Sequence, residues 1–481
     1  MRPTLAFSKE DKAILKPVLE LAKARKAKLY LVGGFLRDVL AGRRKENPDF
    51  DFCLRRGAIN FGRNLAKKIN AGFVVLDKEH GACRAVKKAK GKIYTLDFTD
   101  FRGPTLEKDL LHRDFTINSM ALELGEVFKE IDLSDSLIDP YQGTGDIKGK
   151  LIRQVNIKSF SEDPLRILRA FSFAAIFDFE IDSQTLERIS AEKEKLAKVS
   201  GERIRDELFK VFDTDATCKC FAELDRLKIL KIIFPEIEPM RGIGQGPYHH
   251  LDVWQHTLET LKQLELLLHE IANNEDIRSY LNEVISSQRR RLALLKLGAF
   301  LHDVGKPGAH RRENGKTTFH GHERLGLGLT KEIALRLRLS NDEMQALHKI
   351  VLCHLRPGYL ADTGKPSERA KFRFFRDANT EGVSTLLISI ADQRATKGPL
   401  TTNASRLQHE RVCHGMIKEY FKKKKEKKAS RLVNGDDLIR KFKLEPGPLI
   451  GKILAEVEES QAIGKIKTKE EALKIAKKFI K

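Results

Sequence analysis

Two aspartates two positions apart, Asp49 and Asp51, have the spacing in this sequence that most directly indicates chemistry. They lie in DFDFCL, where polar and apolar residues alternate as in a half-buried strand. Side chains alternate along a strand, so both carboxylates share one face while Phe50 points to the other. Two carboxylates so close repel each other unless a cation lies between them, and Mg²⁺ suits oxygen ligands while keeping positions open for phosphates. The pattern predicts a Mg²⁺ site, with a solvated strand carrying two chance acids as the alternative.

The residues just before this strand are suited to bind phosphate. Gly33 and Gly34 follow an apolar run and free backbone N–H groups at a strand-to-helix turn, which is a natural phosphate cradle. Arg37 lies one turn into the helix and can add a bidentate contact. Asp97, in the strand-like segment YTLDFTDF, is a candidate third carboxylate. Together these groups suit in-line nucleotidyl transfer, in which one ion activates the attacking hydroxyl and a second stabilises the leaving pyrophosphate.

The composition indicates a folded protein of several domains with a polyanionic partner. The chain has 481 residues, of which 41% are hydrophobic and 32% charged, and this excludes a disordered chain. The net charge of +22 favours nucleic acid as the partner, with a basic solvated surface as the alternative. No apolar run is long enough for a membrane span, and the N-terminus lacks the apolar stretch of a signal peptide. Six scattered cysteines without a C-x-x-C pair indicate free thiols, so we expect a cytoplasmic protein.

The elements that must position these residues predict an α+β protein with its strands near the N-terminus. A strand, a glycine turn and a helix are expected at 28–40, and further strands at 49–54, 72–77 and 91–101. From about Ser159 onward, the spacing favours helices with charged faces. The expected domains are a head at 1–155, an all-α neck at 156–245, a helical body at 246–405 and a small helical tail at 430–481, which follows the basic run 421–431.

Four motifs in order resemble the bacterial tRNA nucleotidyltransferase and poly(A) polymerase family, class II, of the polymerase-beta superfamily. They are LVGGFLRDVLAG with DFDF, HRDFTINSMAL, IDPYQGTGDIKGKLIR and EDPLRILRAFSFAA, and they cover about residues 28–175. The resemblance implies a polymerase-beta-like nucleotidyltransferase head that uses Mg²⁺, CTP or ATP, and tRNA. The residues that it implies are Asp49 and Asp51 for the metal, Gly34 and Arg37 at the triphosphate, Arg113, Asp114 and Asn118 at the nucleotide and its ribose, Asp163 and Arg166 at the base edge, and Arg169 at the phosphates. Asp97 is the expected third catalytic carboxylate, and Gly33 is expected to bind the nucleotide beside Gly34.

Asp163 and Arg166 also have a physical interpretation of their own. Three positions apart, they would share one face of a helix. A carboxylate accepts from an exocyclic amino group, and a guanidinium donates to a ring nitrogen or carbonyl. Cytosine and adenine carry an amino group beside an acceptor nitrogen, so the pair could serve both bases and reject uracil and guanine. An ordinary surface ion pair is the alternative, and the neighbouring motifs favour base selection.

Three departures from the family pattern concern specificity. Ser172 stands where the family usually has an arginine, and His112 replaces the first arginine of RRDFTIN. The third departure is the short connection in LDFTDFRGPTLEKDLLHRDF. Family members that add the whole CCA end, and many that add A, carry a longer flexible stretch here, whereas a shortened loop marks enzymes that add only two cytidines. The sequence therefore favours CC addition, with full CCA addition, A addition and poly(A) synthesis as alternatives.

A second set of residues, in the helical body, resembles the HD phosphohydrolase superfamily. The set comprises His256, the adjacent pair His302 and Asp303 in LHDVGK, and the distant Asp392. Imidazole and carboxylate ligands suit a transition metal such as Mn²⁺, Ni²⁺ or Co²⁺, which would activate water for attack on a phosphoester. Packed or solvated histidines on helices are the alternative. The intervening candidates for a second ion are His320, His322 and His354.

The segment 432–480 resembles the C-terminal RNA-binding segment of many family members. The turn EPGPLIG and flanking lysines predict salt-sensitive contacts with tRNA phosphates, and a tRNA would be recognised mainly by its shape. The lysines at 422–428 are either an RNA contact or a solvated linker. Two other function classes remain as alternatives. One is an HD phosphohydrolase whose head only binds nucleotides, and the other is an RNA-binding protein without catalysis. Each leaves part of the motif set unexplained.

Overall fold

A computed structural model describes residues 7–43, 45–129, 135–426 and 430–480. The chain divides into two compact units, with the boundary between Ala216 and Thr217. The first unit combines a sheet with helices, and the second is mainly helical, so the expected α+β class is confirmed. The domain limits at 155, 245, 405 and 430 stay predictions. Within the described ranges, no helix combines the length and the apolar character needed to cross a bilayer.

A six-stranded sheet in the first unit contains the strand with the two aspartates. Its spatial order is β3-β4-β5-β2-β1-β6, in which β2 and β5 are parallel and the other pairs antiparallel. The expected strands are confirmed, whereas β4, with its paired lysines, and the short β6 were not predicted. In the parallel pair, Asp51 lies opposite Asp97. The strands are β1 (Tyr30–Val32), β2 (Asp49–Leu54), β3 (Gly72–Asp77), β4 (Ala82–Ala89), β5 (Lys92–Asp100) and β6 (Ala121–Glu123).

Aromatic packing on one face of the sheet fixes the direction of the β2 carboxylates. Phe50, Phe52 and Phe98 are fully or almost fully buried, and the rings of Phe52 and Phe98 stack with centroids 4.9 Å apart. Each such burial contributes about 1.5–3 kcal/mol. A slip of one residue would turn these rings outward, so the register is strongly specified. Asp49 and Asp51 therefore point to the opposite face, as the alternation predicts.

Helices surround the sheet and continue beyond it in the first unit. Among them, α7 and α9 pack against each other. A short parallel pair, β7 (Leu151–Ile152) and β8 (Glu180–Ile181), lies at the start of this helical part. The helices are α1 (Lys9–Ala24), α2 (Gly34–Leu40), α3 (Ala58–Ile69), α4 (Leu106–Leu111), α5 (Gly143–Gly149), α6 (Ser159–Glu162), α7 (Arg166–Phe177), α8 (Ser183–Glu192) and α9 (Gly201–Phe212).

The expectation that Asp163 and Arg166 share a helix face is wrong. Helix α6 ends at Glu162, and Asp163 is extended, with φ −148° and ψ 100°. Pro164 follows, and the proline ring disfavours helical geometry in the residue before it. Helix α7 begins only at Arg166. The two side chains therefore come from a bend and from a helix start.

The second unit is built from helices with two small hairpins. The hairpins were not expected from the sequence and are β9 (Val284–Ser286) with β10 (Arg289–Arg290), and β11 (Arg311–Glu313) with β12 (Lys316–Thr318). The helices are α10 (Thr217–Arg226), α11 (Leu230–Ile233), α12 (Val253–Glu270), α13 (Glu275–Asn282), α14 (Arg291–Leu301), α15 (Lys306–Ala309), α16 (His322–Arg336), α17 (Asn341–Cys353), α18 (Arg356–Asp362), α19 (Glu368–Ala378), α20 (Gly382–Ala395), α21 (Asn403–Lys425), α22 (Gly435–Phe442), α23 (Pro448–Ala462) and α24 (Lys469–Lys477).

The C-terminal helices have an apolar core of their own. Leu438, Ile453 and Ala472 from α22, α23 and α24 are fully buried together. The basic run before this tail begins inside α21, which continues through Lys425, so its first half is helix and not a linker. The rest of the predicted lysine run, 427–428, lies outside the described residues.

Candidate active site and candidate metal centre

An open cavity of about 400 Å³ in the first unit brings together most of the predicted nucleotide-binding residues. The sheet contributes carboxylates to its wall, and the start of α7 contributes basic groups. Arg203 of α9 also lines it and was missed in the sequence, where GERIRDEL reads as an ordinary amphipathic helix. The predicted residues in the wall are Asp51, Asp97, Arg113, Asp114, Asp163, Arg166 and Arg169.

Asp51 and Asp97 of the cavity wall provide a negative charge that fits a divalent cation, whereas Asp49 is half exposed and lies outside the wall. Burial raises the pKa of Asp51 to about 6, and the charges of Asp97 and Asp49 add to this rise although Arg113 opposes it. A bound cation would favour the ionised form of this carboxyl group. The donor set is all oxygen, which suits Mg²⁺.

Two of the three predicted catalytic carboxylates are paired with basic side chains in this structure. Arg84 donates to both oxygens of Asp97, each at 2.8 Å, and Lys45 Nζ lies 3.1 Å from Asp49 Oδ2. Over the described part of the chain, the oxygens of Asp49, Asp51 and Asp97 do not form a converged set of ligand atoms. A cation here would therefore compete with Arg84 and Lys45 for these oxygens.

Gly33 is required by both its backbone and its surroundings. Its φ is +73°, in the left-handed region that side chains disfavour. A Cβ at this position would lie 3.0 Å from Arg113 Nη1 and 3.3 Å from Asp51 Oδ2. The glycine turn thus lets the first turn of α2, which starts at Gly34, approach the cavity wall closely.

Arg37, predicted at the triphosphate, lies in the interior and is not part of the cavity wall. It is 7% exposed, and its guanidinium donates to Asp38 at 2.7 and 2.9 Å. The same group lies 4.8 Å from the ring centroid of Phe173 and 4.7 Å from that of Phe177. Its surroundings indicate a packing role between α2 and α7.

A chain of buried polar contacts connects Arg37 to helix α9. Arg37 Nη1 donates to Asn118 Oδ1 at 2.7 Å, and Asn118 Nδ2 donates to Asp114 Oδ1 at 2.8 Å. Arg169 Nε donates to Asp114 Oδ2 at 2.8 Å, and Arg169 Nη1 lies 3.6 Å from Glu207 Oε1. Burial opposes the charge of Asp114, but Arg169 and the Asn118 amide lower its pKa to about 2. Arg37, Asn118, Asp114, Arg169 and Glu207 thus form one continuous series of polar contacts.

The two substituted motif positions have clear local partners. Ser172 is fully buried and donates to Glu207 Oε2 at 2.6 Å, so this position faces α9 and not the cavity. His112 lines the cavity, with its Nδ1 3.3 Å from Glu162 Oε1. The carbonyl of His112 accepts from Arg166 Nη2 at 2.6 Å, which ties the second motif to the fourth.

The second unit contains a buried histidine cluster with a shared orientation. His302, His322 and His354 each have Nδ1 2.7–2.8 Å from the carbonyl oxygen three residues earlier. A carbonyl can only accept, so Nδ1 carries the proton and Nε2 is left to act as a ligand. His302 Nε2 is buried and faces the carboxylate of Asp303, and the Nε2 atoms of His322 and His354 lie 3.1 Å apart.

Asp303 connects two possible ligand groups, because it belongs to one of them and also contacts His302 of the other. Its Oδ2 is 3.2 Å from His302 Nε2, and its Oδ1 is 3.3 Å from His322 Nε2. All four residues predicted from the sequence are brought together, whereas His320 is exposed and outside the cluster. The two groups are His256, His302 and Asp392, and Asp303, His322 and His354.

The donors of this cluster fit a transition metal. Four imidazoles and two carboxylates match the preference of such ions for mixed nitrogen and oxygen ligands. Lys306 Nζ lies 2.6 Å from Asp303 Oδ2 and donates to Gln245 Oε1 at 2.6 Å, so a cationic side chain is fixed beside the cluster. A metal bound here would lower the pKa of a bound water and produce a nucleophile for phosphoester hydrolysis.

Four family descriptions match successive parts of the chain. The poly(A) polymerase head domain matches residues 29–153, and the probable RNA- and SrmB-binding site of polymerase A matches 178–241. The HD domain matches 253–397, and the putative tRNA nucleotidyltransferase domain 2 matches 402–476. The matches to the head domain and to the HD domain follow each other along the chain in the same order as the cavity and the histidine cluster.

Curated relatives align over nearly the whole length. An A-adding tRNA nucleotidyltransferase of Deinococcus radiodurans is 30% identical over 456 residues, which cover 92% of this chain and 93% of the relative. A CC-adding tRNA nucleotidyltransferase of Geobacter sulfurreducens is 28% identical over 454 residues, which cover 93% and 91%.

Solved structures of CCA-adding enzymes share the fold. A complex with ATP superimposes with a TM-score of 0.65 at 21% identity, covering 99% of this chain and 97% of the other. The Thermotoga maritima enzyme in complex with tRNA superimposes with a TM-score of 0.62 at 23% identity, covering 99% and 97%. The polymerase head followed by an HD body is therefore confirmed as the architecture.

Proposed function

The chain belongs to the bacterial family of tRNA nucleotidyltransferases and poly(A) polymerases, and on that premise we propose that it adds cytidine from CTP to the 3′ end of tRNA and stops after two additions. The proposed products are tRNAs ending in CC, from CCA-end synthesis or repair. The reaction would take place in the cytoplasm, where tRNA and nucleoside triphosphates are found.

The short connection between β5 and α4 carries this proposal. Strand β5 ends at Asp100 and helix α4 begins at Leu106. The connection is held at both ends, because Asp109 Oδ1 accepts from the backbone N–H of Arg102 at 3.0 Å and Thr105 caps α4 through the N–H of Lys108 at 3.3 Å. Such a turn leaves no long flexible segment to change the base preference from cytosine to adenine.

The cavity side chains and the neighbouring Asp49 support a division of roles in the head. Asp49, Asp51 and Asp97 would hold Mg²⁺, which supplies activation of the tRNA 3′-hydroxyl and stabilisation of pyrophosphate. Arg113, beside Asp51 and Gly33, would offset the charge of the triphosphate. Asp163 would accept from the amino group of the incoming base, which uracil and guanine do not present at the same position.

The test is extension of three tRNA substrates, ending at the discriminator base, at C and at CC, with each labelled triphosphate in turn. We expect CTP to extend the first by two residues and the second by one, and the third to stay unchanged. UTP and GTP should be used at least roughly tenfold less well than CTP, because a mismatched edge leaves buried polar groups unpaired. Efficient ATP addition to the CC-ending tRNA would refute the stopping claim.

A addition is the second candidate, and the relative of Deinococcus radiodurans favours it. That protein is named A-adding and is 30% identical to this chain, whereas the CC-adding relative is 28% identical. The same assay separates the candidates, since an A-adding enzyme would extend only the CC-ending tRNA and only with ATP. A full CCA-adding enzyme would complete all three substrates, and a poly(A) polymerase would not stop.

The histidine cluster supports a second activity in the other unit, a metal-dependent phosphohydrolase. Three of its imidazoles, those of His302, His322 and His354, are fixed by backbone carbonyls, which suits a resident metal ion. The test is hydrolysis of a chromogenic phosphodiester, bis(p-nitrophenyl) phosphate, with Mn²⁺, Ni²⁺, Co²⁺ or Mg²⁺. We expect turnover with the transition metals that exceeds turnover with Mg²⁺, and no turnover with any metal would refute the proposal.

We propose that the tail at 430–481 and the lysines of α21 bind tRNA phosphates. Lys422 to Lys425 form the last turn of α21. Their side chains and the net charge of +22 support a salt-dependent affinity for tRNA. The proposed domain limits are 1–155 for the head, 156–245 for the neck and 246–405 for the HD body, and limited proteolysis would test them.

A further inference from the structure

We propose that Arg84 of β4 binds the last phosphate of the tRNA acceptor end, the one that joins the 3′-terminal nucleotide to the nucleotide before it. Arg84 lies outside the four sequence motifs, on a strand between the third carboxylate and the edge of the sheet. This inference rests on the proposed function, because it assigns a contact to the RNA strand that would be extended. It adds a site for the tRNA 3′ end beside the cavity that would hold the nucleotide.

Pairing across the sheet places Arg84 on the same face as two carboxylates of the cavity wall. Asp51 of β2 pairs with Asp97 of β5, and Asp97 pairs in turn with Arg84 of β4. Residues that pair across strands project from the same face of a sheet. Because neighbouring strands lie about 4.7–4.9 Å apart, Arg84 is one strand beyond Asp97 and two strands, roughly 10 Å, from Asp51.

The two sides of Asp51 have different roles in the proposed reaction. On one side, β1 leads into the turn at Gly33, the proposed triphosphate cradle, where a Cβ would lie 3.3 Å from Asp51 Oδ2. Asp97 lies on the other side. In phosphoryl transfer the attacking and leaving oxygens are roughly in line, so the attacking hydroxyl must approach from the side opposite the pyrophosphate. We therefore expect the tRNA 3′ end to approach over β5 and β4, where Arg84 lies.

The guanidinium of Arg84 is bound side-on and keeps donors for a second anion. Nε donates to Asp97 Oδ1 and Nη2 donates to Asp97 Oδ2, each at 2.8 Å. Among the residues that the structure describes, Nη1 has no hydrogen-bond partner, and the side chain is 43% exposed. The hydrogen bonds to Asp97 raise the pKa of Arg84, so its charge is permanent. Its five N–H groups lie in one plane and match the oxygens of a phosphate.

The surroundings of Arg84 favour tRNA over the incoming nucleotide as its ligand. Asp97 lines the cavity of about 400 Å³, whereas Arg84 is not part of the cavity wall. On the outer side, Arg84 pairs with Val74 of the edge strand β3, which is apolar and 48% exposed, so this neighbour does not repel a phosphate. Basic side chains that follow the backbone are a common means of binding a single strand of nucleic acid.

Binding of the phosphate would also release Asp97 for its expected catalytic role. Arg84 holds both oxygens of Asp97, and a cation would have to compete for them. A phosphate offers the guanidinium a replacement anion of similar geometry, so the oxygens of Asp97 become available without leaving Arg84 unpaired. The arrival of the tRNA 3′ end would thus be coupled to completion of the carboxylate site.

The kinetic test uses tRNA in which a methylphosphonate replaces the last phosphodiester and removes its charge. This tRNA is made by ligation of a synthetic 3′ fragment and is compared with the unmodified tRNA that wild type extends. We expect the neutral linkage to lower the wild-type kcat/KM for tRNA roughly ten- to hundredfold, as for loss of a charged hydrogen bond. Arg84→Ala should be slower with unmodified tRNA. It should lose less than about twofold more with the methylphosphonate, because the interaction is already gone.

Equilibrium binding gives a second measurement that does not depend on catalysis. In the absence of nucleotide, the slope of log Kd for tRNA against log salt concentration should be smaller by about 0.7 in Arg84→Ala than in wild type, because one phosphate contact with a single strand is lost. The methylphosphonate tRNA should cause the same change with wild type and no further change with Arg84→Ala.

Two further variants make the result specific to Arg84. Arg63→Ala is the matched control, since Arg63 of α3 has its Cζ 5.6 Å from the ring centroid of Phe73, which points to the opposite face of the sheet. It should match wild type within about twofold with both tRNAs. Arg84→Lys keeps the charge but not the planar fork, so its discrimination against the methylphosphonate should be intermediate. Circular dichroism establishes that each variant is folded.

Two results would overturn the inference while the proposed function stands. One is a wild-type protein that extends the methylphosphonate tRNA as well as the unmodified tRNA. The other is a folded Arg84→Ala variant that keeps the full wild-type loss with the methylphosphonate, which would limit Arg84 to its contact with Asp97. A wild-type protein that adds no nucleotide to unmodified tRNA would overturn the proposed function and this inference together.

Discussion

The cavity of the first unit and the histidine cluster of the second hold their charged groups by different means. In the cavity, acidic side chains are paired with basic ones that a ligand can displace, such as Asp97 with Arg84 and Asp163 with Arg203. In the cluster, three buried imidazoles near the carboxylate of Asp303 are oriented by backbone carbonyls.

The two arrangements suit different kinds of ligand. Ion pairs at a partly exposed wall are exchangeable, because a phosphate or a metal ion can replace either partner. Such a wall suits a substrate that arrives with its own cation and leaves after each reaction. Imidazoles fixed by the main chain cannot rearrange without disturbing their helices, so the cluster suits an ion that stays bound.

The largest expected effect tests the cavity side of the comparison. Asp51→Asn should lower the rate of nucleotide addition at least about a thousandfold, because a metal ligand that acts in the transition state is lost. The affinity for tRNA should change less than about twofold. Single-turnover kinetics and filter binding measure the two quantities. Asp77→Asn, at an exposed carboxylate that binds His80 away from the cavity, is the control. A residual rate of a tenth of wild type would contradict the metal assignment.

The next prediction separates the two sites. The double substitution of His302 and Asp303 by alanine should remove the bound transition metal, and any phosphohydrolase activity with it, while nucleotide addition stays within about threefold of wild type. Elemental analysis of the purified protein and both activity assays measure this. His320→Ala is the matched control, since His320 is exposed and outside the cluster. Loss of nucleotide addition in a folded double variant would show that the sites do not act separately.

A smaller effect is expected at the glycine turn. Gly33→Ala should slow nucleotide addition roughly ten- to hundredfold, because its Cβ would press on Arg113 and Asp51 and its φ of +73° is strained. Gly42→Ala is the control for backbone strain without a side-chain clash, since Gly42 has φ +70° and open space around its Cβ position. Comparable rates for the two variants would mean that backbone strain alone matters. The histidine cluster should keep its metal in both.

The smallest effect concerns stability and its pH dependence. The lowered pKa of Asp114, about 2, means that its ionised form stabilises the fold by about 2–3 kcal/mol above the unfolded-state pKa near 4. Asp114→Asn should therefore lower the melting temperature at pH 7. The difference from wild type should shrink as the pH falls from about 4 towards 2, where wild type also loses the charge. A difference that is constant down to pH 3 would contradict the role of Arg169 as its partner.

Local sequence patterns predicted the parts of both sites that depend on spacing. The alternation of DFDFCL predicted the direction of its carboxylates, because aromatic side chains on the other face fix the register. The adjacent pair His302 and Asp303, with distant partners, was enough to predict a cluster. In each case the position of the residue along its own element decides where its side chain points.

Local patterns could not predict which partner a side chain contacts when the possible partners lie far away in the sequence. Arg37 is one turn into α2, as expected, but the rings of Phe173 and Phe177 provide a better environment for it than the cavity. The position of Arg203 at the cavity depends on the packing of α9 against α7, which the local sequence pattern does not predict. Pro164 shows the opposite case, since its effect on Asp163 is local and could have been read from the sequence.

The contact between Ser172 and Glu207 has a consequence for how this family can change through evolution. The buried carboxylate of Glu207 accepts from a serine and already has two cations nearby, Lys210 at 2.7 Å and Arg169 at 3.6 Å. An arginine at 172 would bring a third cation to the same carboxylate and weaken its hold on Arg169. Positions 172 and 207 should therefore covary among relatives, and a lineage that exchanged serine and arginine must have passed through a compensating change on α9 or tolerated a less active intermediate.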